Sequence, residues 1–175
     1  VTTMQYPVGA GPTPRPPVPE DVRTARQLWW AVAAFGVVQL TASLVVASGQ
    51  RDELADEAFE TLRASDPTAT EATADLMVIG VFGLAAIAGV IITAFALLFI
   101  HFFWRGKLWA RTLLTFVGVW LVIIGVATLF ALESVDGIAA LVAGGAAIVQ
   151  GVLAGGALYL GHRPDSNAYF LMNRR

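Results

Sequence analysis

Four long stretches of this chain, residues 28–47, 76–103, 108–132 and 138–160, contain no acid and no lysine, and their one arginine, Arg111, lies in the first turn of the third. Each reaches or exceeds the roughly 20 apolar residues a helix needs to cross a hydrocarbon layer. Polar positions crowd into residues 48–75, into a tight basic hairpin around 104–111, and into a short turn at 132–137. Lipid offers backbone N–H and C=O groups no partner, so each apolar stretch has to close its hydrogen bonds locally, as a helix. No strand pattern competes. The pattern predicts an all-α integral membrane protein: an antiparallel four-helix bundle over residues 28–160, with a helical extracytoplasmic loop joining the first two spans. A proline-rich cytoplasmic tail, 1–27, precedes it, and a cytoplasmic interfacial tail, 161–175, follows.

The 48–75 connection is the only sizeable part expected outside the membrane, and it reads as two helical pieces. Leu54, Ala58 and Leu62 recur every four residues with Phe59 beside them, one apolar stripe among Asp52, Glu53, Asp56, Glu57 and Glu60. That stripe is a candidate partner-docking surface, or else the inner face of a lid folded over the bundle. Asp66 before Pro67 signals a helix start, and Thr68-x-x-Glu71 fits a capping box, so the second span is expected to begin near Pro67 and rise above the bilayer.

Composition agrees with the pattern: 57% hydrophobic and 14% charged residues, with a mean hydropathy of +0.69, exceed an ordinary soluble domain. Charge then orients the spans. With the N-terminus in the cytoplasm, Arg15, Arg23, Arg26, Arg105, Lys107, Arg111, Arg163, Arg174 and Arg175 fall inside, and only Arg51 and Arg63 fall outside. The reverse orientation would violate the positive-inside bias. Trp29, Trp30, Trp104 and Trp109 all fall at the inner interface and are expected as membrane-interface anchors. The expected location is a bacterial inner (plasma) membrane, multi-pass, with both termini cytoplasmic. The leading Val, with Met at position 4, is what a GTG start translated literally would leave. Residues 1–27 lack the basic start and short apolar core of a cleavable signal. Pro14-x-x-Pro17 would favour a polyproline II conformation.

Small residues mark the helix contacts. Ala143, Ala147, Gly151 and Gly155 form a four-residue-spaced face on the last span, and Ala85, Gly89 and Thr93 make a shorter one on the second. Such faces let two backbones approach closely where lipid provides no hydrophobic drive. The stripe is expected either to pack within the chain or to meet another subunit. Gln39 and Gln150 lie at similar depth, so an amide pair between them is expected to set the first and last spans side by side.

Chemistry is sparse. No span carries an acid or a lysine, and the only ionisable bases, His101 and Arg111, sit at span ends beside the basic hairpin and not along the mid-depth route a proton or ion would take. No proline breaks a span into the half-helices that build midplane substrate sites. Ser43 has no acid or histidine at its depth, and His101 and His162 stand without the carboxylates a metal site would add. With no cysteine, thiol catalysis and cysteine-ligated metals are excluded. No catalytic residue, cofactor, metal or nucleic-acid partner is expected.

The ending HRPDSNAYFLMNRR resembles that of a group of small, uncharacterised actinobacterial four-span membrane proteins with a Pro-rich start and an acidic helical first loop. The matching residues are Arg163, Pro164, Ser166, Ala168, Tyr169 and Phe170. The resemblance implies the four-span layout and carries no active site. On its own composition the tail reads as an anchor, with Tyr169, Phe170, Leu171 and Met172 in the headgroup zone and Arg174 and Arg175 toward anionic lipid. By elimination the chain is expected to be a non-catalytic accessory or stabilising subunit of a larger inner-membrane complex. By analogy this is a Mce-type lipid transporter. The alternatives are a respiratory-chain accessory subunit, or a homo-oligomeric channel or lipid-binding protein. Membrane lipids and other integral subunits are the expected partners.

Overall fold

A computed structural model describes residues 17–131 and 137–173. The start of the proline-rich tail, residues 132–136, where the sequence predicts a short turn, and Arg174–Arg175 lie outside the described residues. Six helices account for nearly all the rest: α1 Glu20–Gly49, α2 Arg51–Ser65, α3 Glu71–Trp104, α4 Leu108–Ala131, α5 Ile138–Gly161 and α6 Pro164–Met172. Among the described residues there is no strand, and α1, α3, α4 and α5 are long and apolar enough to cross a membrane.

Helix α1 begins eight residues before the uncharged stretch (28 − 20 = 8), inside what the sequence assigns to the tail. Val22, Ala25, Trp29 and Val32 recur at three- and four-residue spacing, and all four are buried. The stripe is hidden in a search for charge-free runs because Arg23 and Arg26 sit between its members. Glu20 and Asp21 place negative charge at the helix N-terminus, where the backbone dipole favours it.

The α2–α3 junction departs from expectation in a similar way. Asp66 accepts both the backbone N–H of Thr68 at 2.9 Å and its hydroxyl at 2.6 Å. This Asx turn commits Thr68, so no capping box forms with Glu71. The helix starts instead behind Thr70, and Pro67 stays in the turn. At 34 residues, α3 is about 51 Å long by helical rise. It overshoots a hydrocarbon core of about 30 Å by several turns. Helix α2 packs along this helix, and Arg51 reaches Asp75 at 3.4 Å.

Among the long helices the most extensive contact is α1 with α5, followed by α4 with α5. Helix α3 leans on α1 and touches α4 more lightly than it touches α1. Gly106, at φ +72°, permits the sharp reversal of α3 into α4, and Gly137, at φ +95°, stands at the N-terminus of α5. The hydrophobic core is concentrated at one end. Val22, Ala25, Trp29, Ile100, Phe103, Leu114, Ala157, Tyr169 and Phe170 meet where α1 and α4 begin and α3 and α5 end. We call this the tail end, and the opposite end, which carries α2, the loop end.

Candidate functional site

The first and last spans do lie side by side, and Ala143 and Ala147 of the small-residue stripe line a groove with α1, but the close backbone approach at Gly151 is to α4. A methyl group added at Gly151 would lie 3.0 Å from the Leu121 carbonyl oxygen and 3.3 Å from the Gly125 Cα. One added at Gly125 would lie 3.3 Å from both the Ala147 carbonyl oxygen and the Gly151 Cα. The two backbones therefore touch glycine to glycine, and dispersion and weak Cα–H···O contacts act at full strength. Gly155 is looser, 3.6 Å from a Val122 methyl.

The predicted amide pair is not made. Gln150 donates to the Val32 carbonyl at 3.0 Å, and its amide nitrogen lies 2.9 Å from where a Gly36 side chain would start. Equal residue counts from the span ends overlooked that α1 offers a main-chain acceptor beside a side-chain-free glycine two turns below Gln39. Gln39 lines a groove of about 340 Å³ at the loop end with Ser43, Gln50, Thr128, Ala143 and Ala147.

Several predicted anchors belong to the protein interior. Trp29 is only 2% exposed and lies in the core, whereas Trp30 and Trp109 are about half exposed. Trp104 is half-buried and carries the Arg26 guanidinium 4.5 Å above its ring. Tyr169 and Phe170, expected among headgroups, are buried: helix α6 folds under the tail end and drives them inward. Phe170 meets Phe103 with ring centroids 5.1 Å apart, and the Arg111 guanidinium sits over the Phe170 ring at 5.2 Å. The Tyr169 hydroxyl donates to the Trp104 carbonyl at 2.9 Å, and burial raises its pKa. The Ser166 hydroxyl donates to the Leu160 carbonyl at 2.7 Å, and Arg163 pairs with Asp21 at 3.0 Å. Of the four tail residues expected among headgroups, only Leu171 and Met172 are exposed.

The candidate docking stripe also turns inward. Leu54, Ala58, Phe59 and Leu62 are half-buried, and Leu54, Ala58 and Leu62 line a groove shared with Met77 of α3. Arg63 covers the Phe59 ring at 5.5 Å. What α2 offers outward is its carboxylate face, Asp52, Glu53, Asp56, Glu57 and Glu60.

The sequence pattern did not indicate a cavity of about 380 Å³ between α1, α3 and α4. Its floor is Trp29, Ile100 and Leu114, and its walls include Val32, Ala33, Phe95, Ala96, Phe99, Val117 and Leu121. At its loop-end rim Leu40 presses directly onto Gly89. Two polar side chains reach it, and both are already committed. Thr93 donates to the Gly89 carbonyl at 2.8 Å, and Gln150 to Val32. Elsewhere in the spans Thr115 and Thr128 likewise bond back to Arg111 and Ile124, each at 2.8 Å. Among the described residues no buried side-chain nitrogen or oxygen lacks a partner, and no three histidines or acids come together. The arrangement can enclose hydrocarbon, and it presents no group poised for proton transfer or nucleophilic attack.

No protein-family model matches the chain, and no curated protein or solved structure is detectably similar to it.

Proposed function

We propose that this chain is a non-catalytic, lipid-handling accessory subunit of a bacterial inner-membrane complex. Its four spans would form an antiparallel bundle with both termini in the cytoplasm. The observation that carries the reading is the membrane-depth cavity, lined almost wholly by apolar side chains, in a chain where, among the described residues, every fully buried side-chain nitrogen and oxygen has a partner. Polar solutes and ions need polar partners along their route, and the only two polar side chains that line this cavity, Thr93 and Gln150, are each bonded to a main-chain carbonyl. Among assemblies that recruit small helical subunits, a Mce-type lipid transporter suits such an interior better than a respiratory-chain complex, whose cofactors would need ligands. The tail resemblance to actinobacterial four-span proteins supports the same setting. Its residues Arg163, Ser166, Tyr169 and Phe170 are the ones that hold α6 in place.

Purification in mild detergent followed by native mass spectrometry tests this reading. A large hetero-complex that contains lipid-transport subunits is expected. A stoichiometric homo-oligomer would replace it with the self-assembling reading. Because the chain has no cysteine, single cysteines also test orientation cleanly. Cysteines at Ser48 or Thr68 should react with an impermeant maleimide in intact cells, and one at exposed Ala168 should not. Labelling at Ala168 alone would invert the topology.

A further inference from the structure

We propose that the cavity between α1, α3 and α4 is a binding site for one acyl chain of a bilayer phospholipid, admitted through the seam between α3 and α4. Whether the protein joins a larger complex does not enter the argument; only its insertion in a bilayer does.

Volume sets the size of the occupant. An engineered cavity of about 150 Å³ accepts one six-carbon benzene, so by proportion a space of 380 Å³ takes about fifteen carbons. That is a fatty chain and not a helix, which with its side chains is about 10 Å across. Length agrees. Trp29 and Leu40, at the two ends of the cavity on α1, are eleven residues apart (40 − 29). Eleven residues rise about 16 Å, close to half of a hydrocarbon core of about 30 Å. The cavity therefore has the reach of one leaflet.

Chemistry narrows the occupant to hydrocarbon. Water in a buried space needs two to four polar partners, and the two polar side chains here are already bonded to the carbonyls of Gly89 and Val32. Aliphatic and aromatic walls built from Val32, Phe95, Phe99, Val117 and Leu121 suit an alkyl chain, and the chain's carboxyl ester needs no partner inside.

The way in follows from the packing. Helix α5 seals α1 against α4, and Leu40 seals α1 against α3 over Gly89. Helices α3 and α4 make the thinnest contact of the neighbouring spans and meet through Phe99, Phe102 and Trp109 beside their connecting hairpin. Beyond those rings Phe95 and Val117 stay exposed at the margins of the cavity. A chain can therefore slide in sideways from the surrounding leaflet.

Tryptophan fluorescence reads the occupant directly. Of the five tryptophans, Trp29 lies at the cavity floor and is shielded from the surroundings, while Trp120 is 63% exposed on the outer surface of α4. Two single-tryptophan proteins, one keeping Trp29 and one keeping Trp120, would be reconstituted in dioleoylphosphatidylcholine vesicles or in the same lipid brominated at carbons 9 and 10. Bromine quenches only indoles that a chain touches. Both reporters should be quenched, Trp29 about as strongly as Trp120. Filling the cavity with Ala96→Phe should restore Trp29 emission and leave Trp120 quenched, while Ala88→Phe, on the exposed face of the same helix, should change neither. Ala33→Phe fills the cavity from α1 and repeats the test should Ala96→Phe fold poorly. The proposal is overturned if Trp29 stays bright in brominated vesicles, as it would with a partner's side chains in the space. It is equally overturned if both filling variants leave Trp29 quenched.

Discussion

The two ends of this molecule are built from the same apolar alphabet, yet they solve different problems. At the tail end five helices converge, and Phe103, Phe170, Ile100 and Val22 are each under 2% exposed. At the loop end Val45, Leu129, Phe130 and Ile138 are more than half exposed. Small residues there leave a groove lined by Gln39, Ser43 and Thr128. The difference lies in what each end packs against. The tail end recruits α6, which inserts Phe170 and Tyr169 between α3 and α4 and adds hydrogen bonds to the carbonyls of Trp104 and Leu160. The loop end has only α2, which lies along α3 and buries no residue fully. Protein-on-protein packing fixes one end, and lipid or further chains must cover the other.

That contrast can be broken most directly at Phe170. Truncating a fully buried phenylalanine typically costs about 3–5 kcal/mol, so Phe170→Ala should lower the thermal midpoint in detergent sharply. Phe130→Ala removes the same atoms from a ring that is 83% exposed at the loop end and should leave the midpoint nearly unchanged. Equal losses would show that the loop end is as tightly built as the tail end.

The glycine contact sharpens the comparison at mid-depth. Gly151→Leu must push a branched side chain against the Leu121 carbonyl, already 3.0 Å from the first added carbon. Overpacking of this kind costs about 1–3 kcal/mol. Alanine separates the two glycines more finely. Gly151→Ala should lower the midpoint, while Gly155→Ala, with 3.6 Å of room, should be neutral or slightly stabilising because alanine is the better helix former. If Gly155→Ala proves the worse of the pair, the tight seam lies elsewhere on the helix.

A smaller effect belongs to the amides. Gln150→Leu removes one interhelical hydrogen bond, worth about 0.6 kcal/mol and at most about 1.7 kcal/mol in membrane helices. Gln39→Leu should cost less, since Gln39 lines the loop-end groove instead of a helix contact. The two changes should add, with any coupling below about 0.5 kcal/mol. A double mutant much more stable than the Gln150→Leu protein would restore the direct amide pair.

How far the sequence carries follows from which forces leave a local mark. Desolvation of the backbone acts on any long apolar run, so the four spans are legible from their apolar stretches, and the helical connection from the four-residue spacing of Leu54, Ala58 and Leu62. The close approach at Gly151 was legible as a small-residue face, but its partner was not. Choosing between α1 and α4 depends on the rotation of α5, which four-residue spacing does not determine. Val22 and Ala25 were missed because charged neighbours interrupt their stripe. Tyr169 and Phe170 were taken for interfacial anchors because an aromatic pair beside a membrane looks the same whether it faces headgroups or a neighbouring helix. The cavity was the least visible of all. It exists because α3 and α4 separate beyond Phe99 and Trp109, and no residue type encodes a gap.

The weakest feature of the loop end, the turn between α2 and α3, should reveal itself through pH. Two hydrogen bonds from Thr68, the hydroxyl bond being the larger contribution, hold the Asp66 carboxyl below its ordinary range. A carboxylate whose folded pKa is depressed contributes stability that is fully present above its unfolded pKa. It is lost as pH falls through the folded value. The turn should therefore be intact at neutral pH and loosen only below pH about 4. Asp66 is fully exposed to solvent, so the loosening should stay local. Amide exchange at Thr68 and Ala69 should accelerate relative to the intrinsic rate as pH drops, while amides around Trp29 and Phe103 at the tail end keep their protection. Asp66→Ala should reproduce the fast exchange at neutral pH. Asp66→Asn, whose amide oxygen still accepts from Thr68, should keep the turn and remove its pH dependence. If protection at the two ends falls together on acidification, the loop end is coupled to the core more strongly than its open packing suggests.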